Sequence, residues 1–112
     1  MVRVFAYVRP HRLEDVKSAV SALNVTGLTV SDARGCGNNP EAAVLFAGQE
    51  VLTTLPFRSK IEVVVPDEDA GEIVCAMVEA ARTGQPGDGK VFVERVADVI
   101  RVRTGQRGDA AV

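Results

Sequence analysis

From Val2 to Arg9 the chain alternates Val2, Val4, Ala6 and Val8 with Arg3, Phe5, Tyr7 and Arg9, a period of two that predicts a β-strand ended by Pro10. Leu13, Val16, Val20 and Leu23 then recur at helical spacing, with Glu14 and Asp15 where acidic groups favour the start of a helix dipole. A helix over 11–23 is expected. Val25 to Asp32 is β-branched and alternating, a second strand running on toward Arg34. Ser59 to Val65 is a third strand, stopped by Pro66. Ala70, Ile73, Val74, Met77, Val78 and Ala81 form the stripe of a second helix that Gly84 is placed to terminate. Cys75 lies off that stripe, so it is either exposed or covered by another subunit. Lys90 to Val93 predicts a fourth strand and Asp98 to Arg103 a short fifth, before a polar tail over 104–112 that is expected to be mobile.

Residues 36–58 are the least regular part, with Asn38-Asn39-Pro40, Gly48 and Leu55-Pro56. Loops of this length inside compact domains are usually functional or disordered. Two readings stay open: a mobile partner-binding loop, or a hairpin pairing Ala42–Phe46 with Gln49–Leu55 around Ala47-Gly48.

The order strand, proline, helix, strand occurs twice, a βαββαβ duplication. Right-handed crossovers place both helices on one face of a four-stranded antiparallel sheet, the ferredoxin-like α+β arrangement. The other face is left uncovered. With Phe5, Tyr7, Val63 and Val65 read as apolar content for it, a symmetric homo-oligomer is the economical way to bury that face.

At 112 residues the chain has room for a single domain, 1–112, with one core. Hydrophobic residues at 46% and charged residues at 25% argue against both disorder and a coiled coil. Lys plus Arg number 13 against 15 Asp plus Glu, so no basic excess exists to neutralise nucleic-acid phosphates, and nucleic acid is not an expected partner. Apolar runs such as Val63 to Val65 fall far short of the roughly 20 residues that cross a bilayer. Arg3 and Arg9 interrupt the N-terminal apolar stretch, so no secretory signal is expected and a cytoplasmic location is the default. Cys36 and Cys75 lack a CxxC spacing and His11 is the lone histidine, which argues against a metal site.

The chemistry-bearing stretch is Thr83-Gly84-Gln85-Pro86-Gly87-Asp88-Gly89-Lys90. Its glycines let backbone approach a ligand and Lys90 offers a point charge for phosphate. A plain tight turn before a strand is the competing reading, and the Walker A order is absent. Arg101 and Arg103, two apart on the expected fifth strand, would emerge on one face and could clamp adjacent phosphates or simply decorate an edge strand. No catalytic residue is assigned. His11 has no adjacent nucleophile, and Cys36, in a Gly-Cys-Gly turn, has no nearby resolving cysteine.

These residues converge on a resemblance to the P-II signal-transduction proteins, the nitrogen-regulatory trimers, along nearly the whole chain. Thr83 to Val93 looks like the family's C-terminal signature, followed by its Val99-Ile100-Arg101-Val102-Arg103-Thr104-Gly105 ending. Thr26 to Val30, Arg34-Gly35-Cys36-Gly37 and Lys60 to Asp67 also match at the family's spacing. The resemblance implies a cytoplasmic homotrimer of ferredoxin-like subunits that binds ATP or ADP in clefts between neighbours. It implies control of an enzyme, a regulator or a membrane transporter through the loop. Position by position, it places Gly87, Asp88, Gly89 and Lys90 around the phosphates and brings Arg101 and Arg103 from the adjacent subunit. Thr29, Glu62 and Val64 match positions lining the base and ribose, and Gly35 and Gly37 the base of the loop.

The loop departs from the family. Members regulated by uridylylation carry Tyr, basic, Gly, small, Glu, Tyr, where this chain has Phe46-Ala47-Gly48-Gln49-Glu50-Val51, so the modifiable tyrosine is Val51. The glutamine that helps hold Mg²⁺ and 2-oxoglutarate is replaced by the shorter Asn39, and the Lys-x-Lys exit by Phe57-Arg58-Ser59-Lys60. Arg58 offers a dicarboxylate a longer, differently shaped fork. An amide that cannot reach Mg²⁺ at about 2.0–2.1 Å loses the metal outright, which leaves Mg²⁺ open. The expectation is a divergent P-II-like sensor with nucleotide binding kept and the 2-oxoglutarate response weakened or lost. Two alternatives stand beside it: a sensor of AMP, bicarbonate or a carboxylate, and a phosphoryl-transfer enzyme built on Lys90, Arg101 and Arg103.

Overall fold

The computed structural model describes residues 1–37, 43–46, 49–52 and 55–112, with backbone alone over 43–46 and 49–52. Strand β1 (Val2–Val8) buries every second residue, as its period of two requires. Pro10 opens a 3₁₀ turn, Pro10–Arg12, and α1 follows as Leu13–Ser21. The expected helix is thus shorter at both ends. Proline has no N–H to join an α-helical ladder, and the chain leaves the helix as Leu23 N–H turns back to Val20 O at 3.0 Å.

β2 spans Thr29–Arg34, starting later than the expected Val25. Val25 and Leu28 instead pack against the core from the connection, and Gly27 between them weakens any strand there. The segment between β2 and the next long strand holds a hairpin, β3 (Ala43–Phe46) and β4 (Gln49–Leu52), with Phe46 opposite Gln49. The pairing expected of a hairpin is present over these residues, and Ala42, Thr53 and Thr54 of the expected hairpin lie outside the described residues. Strand β5 (Phe57–Val65) starts two residues before the expected Ser59, and α2 covers Ala70–Ala81. β6 runs Lys90–Arg95.

The main sheet has the order β2-β5-β1-β6, antiparallel throughout. Both helices cover one face, where Val16, Val20, Ile73 and Met77 meet Val4, Ala6, Ile61 and Val63 in one core. Two Arg12 nitrogens, Nε and Nη2, donate to Ala80 O at 3.0 and 2.7 Å, so the turn before α1 caps the C-terminal end of α2. This is the four-stranded antiparallel sheet with two helices of a ferredoxin-like α+β fold.

Four readings are corrected. Val63 and Val65 lie buried under the helices, so the open face carries Phe5, Tyr7 and Phe92 with Arg3, Lys60, Glu62 and Glu94 among them. Gly84 does not stop α2, which ends at Ala81 with an extended Arg82 after it. Residues 98–103 form no strand: Ile100 makes one isolated bridge with Arg107, and the chain turns where Gly105 N–H meets Arg101 O at 2.8 Å. The tail is ordered into a 3₁₀ turn at Gly108–Ala111 that buries Ala111. Cys75 is exposed, and no helix among the described residues is long and apolar enough to cross a membrane.

Candidate functional site

The glycines of the Thr83–Lys90 stretch are conformational requirements. Gly84, Gly87 and Gly89 have φ of 88°, 97° and 99°, a region L side chains rarely adopt. Gly89 also presses on β1, where an added Cβ would stand 1.7 Å from Tyr7 O. Only hydrogen fits there.

Asp88 holds the loop from inside. Its Oδ2 accepts from the Thr83 amide at 2.8 Å and the Gly84 amide at 2.9 Å, and its Oδ1 accepts from the Thr83 hydroxyl and from Arg9 Nε at 3.2 Å. The Thr83 hydroxyl above all, then the Thr83 amide, hold its carboxyl well below the usual carboxylate range. This carboxylate is therefore a brace, and the loop's groups for an anion are its backbone and Lys90.

A cavity of about 640 Å³ opens beside this loop. It brings Gly87, Asp88, Gly89 and Lys90 to one wall and Gly35, Gly37 and Arg58 to another. Register explains the meeting: Tyr7 on β1 pairs with both Lys90 and Lys60, while Ala33 pairs with Arg58. Tyr7, Phe92 and Arg34 line the same space, and none of the three was singled out for a site from sequence. Arg34 also lies over the Phe57 ring, 4.6 Å from its centroid. Burial first, and then the nearby charge of Arg9, lowers the Arg58 pKa. With Arg34, Arg58 and Lys90 facing one engaged carboxylate, the cavity suits an anion beside a planar aromatic surface.

Thr29, Glu62, Val64 and Arg101 lie elsewhere, around a separate groove of about 360 Å³ that the C-terminal Ala111 and Val112 also line. Glu62 and Arg58 are four positions apart on β5, about 13 Å along an extended strand. Glu62 Oε2 faces Lys60 Nζ at 3.3 Å and Arg3 Nη1 at 3.5 Å. Arg101 is held by Gln106, whose Oε1 accepts from its Nη1 at 3.1 Å. Arg103 is exposed and lines neither space, so the expected shared strand face of Arg101 and Arg103 does not exist. Asn39 lies outside the described residues. Among the described residues no group of three or more His, Cys, Asp or Glu is placed to hold a metal ion.

An antiparallel ferredoxin-like sheet carrying a braced glycine loop and a hairpin between β2 and β5 is the architecture expected of a P-II-type regulator. The profile of the family described as Nitrogen regulatory protein P-II matches residues 1–106. Over all 112 residues the chain is 39% identical to Nitrogen regulatory protein P-II 1 of Escherichia coli K12, covering 100% of both. It is 40% identical to Nitrogen regulatory protein P-II 2 of Methanothermobacter thermautotrophicus, covering 100% of this chain and 97% of that one. The Haemophilus influenzae Nitrogen regulatory protein P-II is 37% identical over the full length of both. The chain belongs to the P-II family, and it is a regulator, not an enzyme.

Proposed function

We propose that this chain regulates nitrogen metabolism as a homotrimer that binds ATP or ADP between neighbouring subunits and acts on a partner protein through its β2–β5 segment. One observation carries the reading. Arg103 apart, the positions matched to nucleotide contacts fall into two groups on one chain, the phosphate-type cavity and the groove of Thr29, Glu62, Val64 and Arg101. Neither group is a complete site. Pairing the cavity of one copy with the groove of the next completes it and covers the Phe5, Tyr7 and Phe92 face. A triphosphate fits the cavity's cations and exposed glycine backbone.

Mg²⁺ fits the described lining poorly, because Asp88, its single carboxylate, is already engaged by Thr83, Gly84 and Arg9. The metal and 2-oxoglutarate responses are accordingly weakened or lost, in keeping with Asn39 and Arg58 at the effector positions. With Val51 at the tyrosine position, control runs through binding without uridylylation. The partner is an enzyme, a regulator or a membrane transporter of nitrogen metabolism, and the site of action is the cytoplasm.

Isothermal titration with ATP and with ADP tests the sensor claim. Binding in the micromolar range that is lost in Lys90→Ala supports it, and no heat at high micromolar nucleotide removes it. Tight 2-oxoglutarate binding in the presence of Mg-ATP would overturn the effector half alone.

A further inference from the structure

Arg9 follows the last residue of β1, immediately before Pro10 and 79 positions from Asp88, yet it reaches the Thr83–Lys90 loop at two points. Its Nε donates to Asp88 Oδ1 at 3.2 Å and its Nη2 donates to Pro86 O. The two contacts use two nitrogens of one guanidinium, Nε and Nη2, a rigid fork that holds the loop's crown and its brace together. The Arg9 side chain is 20% exposed and the Asp88 side chain 23%, which protects the pair from much of the solvent's screening. On the far side, Arg9 is close enough to Arg58 for its charge to be felt there. Arg9 itself does not line the cavity; it touches Asp88, which does.

We propose that Arg9 is a positioning residue for the anion-binding loop, holding Asp88 and the Pro86 carbonyl so that the Gly87–Lys90 backbone faces the cavity. The proposal rests on the nucleotide reading for its ligand, although the loop geometry it explains is independent of that ligand. Gly87 and Gly89 have open backbone conformations that cost conformational entropy to hold, and a loop of this kind needs an outside anchor. The Thr83 contacts to Asp88 are internal to the loop. Arg9 is the side chain from outside the loop that bonds its brace and its crown.

The test compares wild type, Arg9→Lys, Arg9→Ala and Arg9→Ala/Asp88→Asn, using ATP, ADP and adenosine as probes in calorimetry at several salt concentrations. Amide hydrogen exchange of Thr83, Gly84 and Gly87–Lys90 is followed in the absence of nucleotide. Arg9→Ala is expected to weaken ATP and ADP by the same factor, about tenfold, the scale of one charge-assisted hydrogen bond. Adenosine binding and the salt slope stay unchanged. Arg9→Lys keeps the charge but not the fork, and recovers part of the loss. The double variant loses little more than Arg9→Ala alone, because the two residues act through one contact. Loop amides exchange faster in Arg9→Ala than in wild type.

Equal exchange rates and equal nucleotide affinities in wild type and Arg9→Ala overturn the proposal. So does a loss that grows from ADP to ATP with a shallower salt slope, since that marks a direct phosphate contact. If wild type binds no nucleotide, the nucleotide reading falls and the exchange experiment still decides the role of Arg9. Should Arg9→Ala not fold, Arg9→Lys and Arg9→Gln carry the same comparison.

Discussion

Thr83 and Asp88 close the loop between α2 and β6 from within: the Thr83 amide donates to Asp88 Oδ2 at 2.8 Å while the Thr83 hydroxyl donates to Oδ1. Five residues apart, they turn a glycine-rich stretch into a fixed platform. A charged acceptor that collects several donors is stabilised only while it stays ionised. The folded-state pKa of Asp88 lies below the unfolded value of about 3.9, so its contribution is fully present above that value and is lost as pH falls through the folded one. Asp88→Asn is expected to lower the denaturant midpoint by a constant amount from pH 5 to pH 8. The gap between variant and wild type narrows below about pH 4. Urea titrations across that range check it, and a gap that widens toward acid contradicts it.

Gly89 predicts a contrast among the glycines. A methyl group there meets Tyr7 O and the φ of 99° disfavours any side chain, whereas a Cβ at Gly35 or Gly37 meets nothing within 4 Å. Gly89→Ala should cost at least about 1–3 kcal/mol, the scale of a sparsely populated backbone conformation, and should displace the loop. Gly35→Ala and Gly37→Ala should leave thermal stability nearly unchanged. Calorimetric melting of the three variants decides it.

The core sets a second contrast. Ile61, on β5 under the helices, is fully buried, and Val102 is 99% exposed. Ile61→Ala should destabilise by about 2–5 kcal/mol through lost transfer energy and a residual cavity. Val102→Ala should stay within about 0.5 kcal/mol. Denaturant unfolding of both variants measures the difference.

Much of the architecture was legible because one-face burial leaves a period. Val2 to Val8 and Ile61 to Val65 alternate, and Val16, Val20, Ile73 and Met77 recur at helical spacing, so the strands and helices on the core could be read directly. Arg101 and Arg103 were misread for the same reason. Val99 to Arg103 alternates as a strand does, yet the chain turns over residues 102–104 before Gly105, whose φ is 73°. Alternation without a partner strand carries no pairing. Face assignment failed at Val63 and Val65, because the Val63-Val64-Val65 run is apolar at both parities, while the open face takes its aromatics from β1 and β6.

The glycine loop was legible in its residue types, and its anchor was not. Nothing near Arg9 in sequence points to Asp88, because a side-chain contact across 79 positions leaves no local pattern. Tyr7, Phe92 and Arg34 escaped notice likewise. They enter the cavity through strand register, which brings Tyr7 opposite Lys90 and Phe92 beside it.

The proposed nucleotide site is divided into two half-sites on one chain, and a neighbouring copy completes it. Lys90→Ala chains lack one cation of the cavity and Arg101→Ala chains one cation of the groove, so each variant alone should bind ATP more weakly. Unfolding and refolding the two together at equal amounts should restore tight binding at about one interface in four, the share in which an intact cavity meets an intact groove. Calorimetry of the mixture against each variant alone reads this directly. Recovery near that share is the predicted result. A mixture that binds no better than its parts, in assemblies shown by mass spectrometry to contain both chains, would contradict the account.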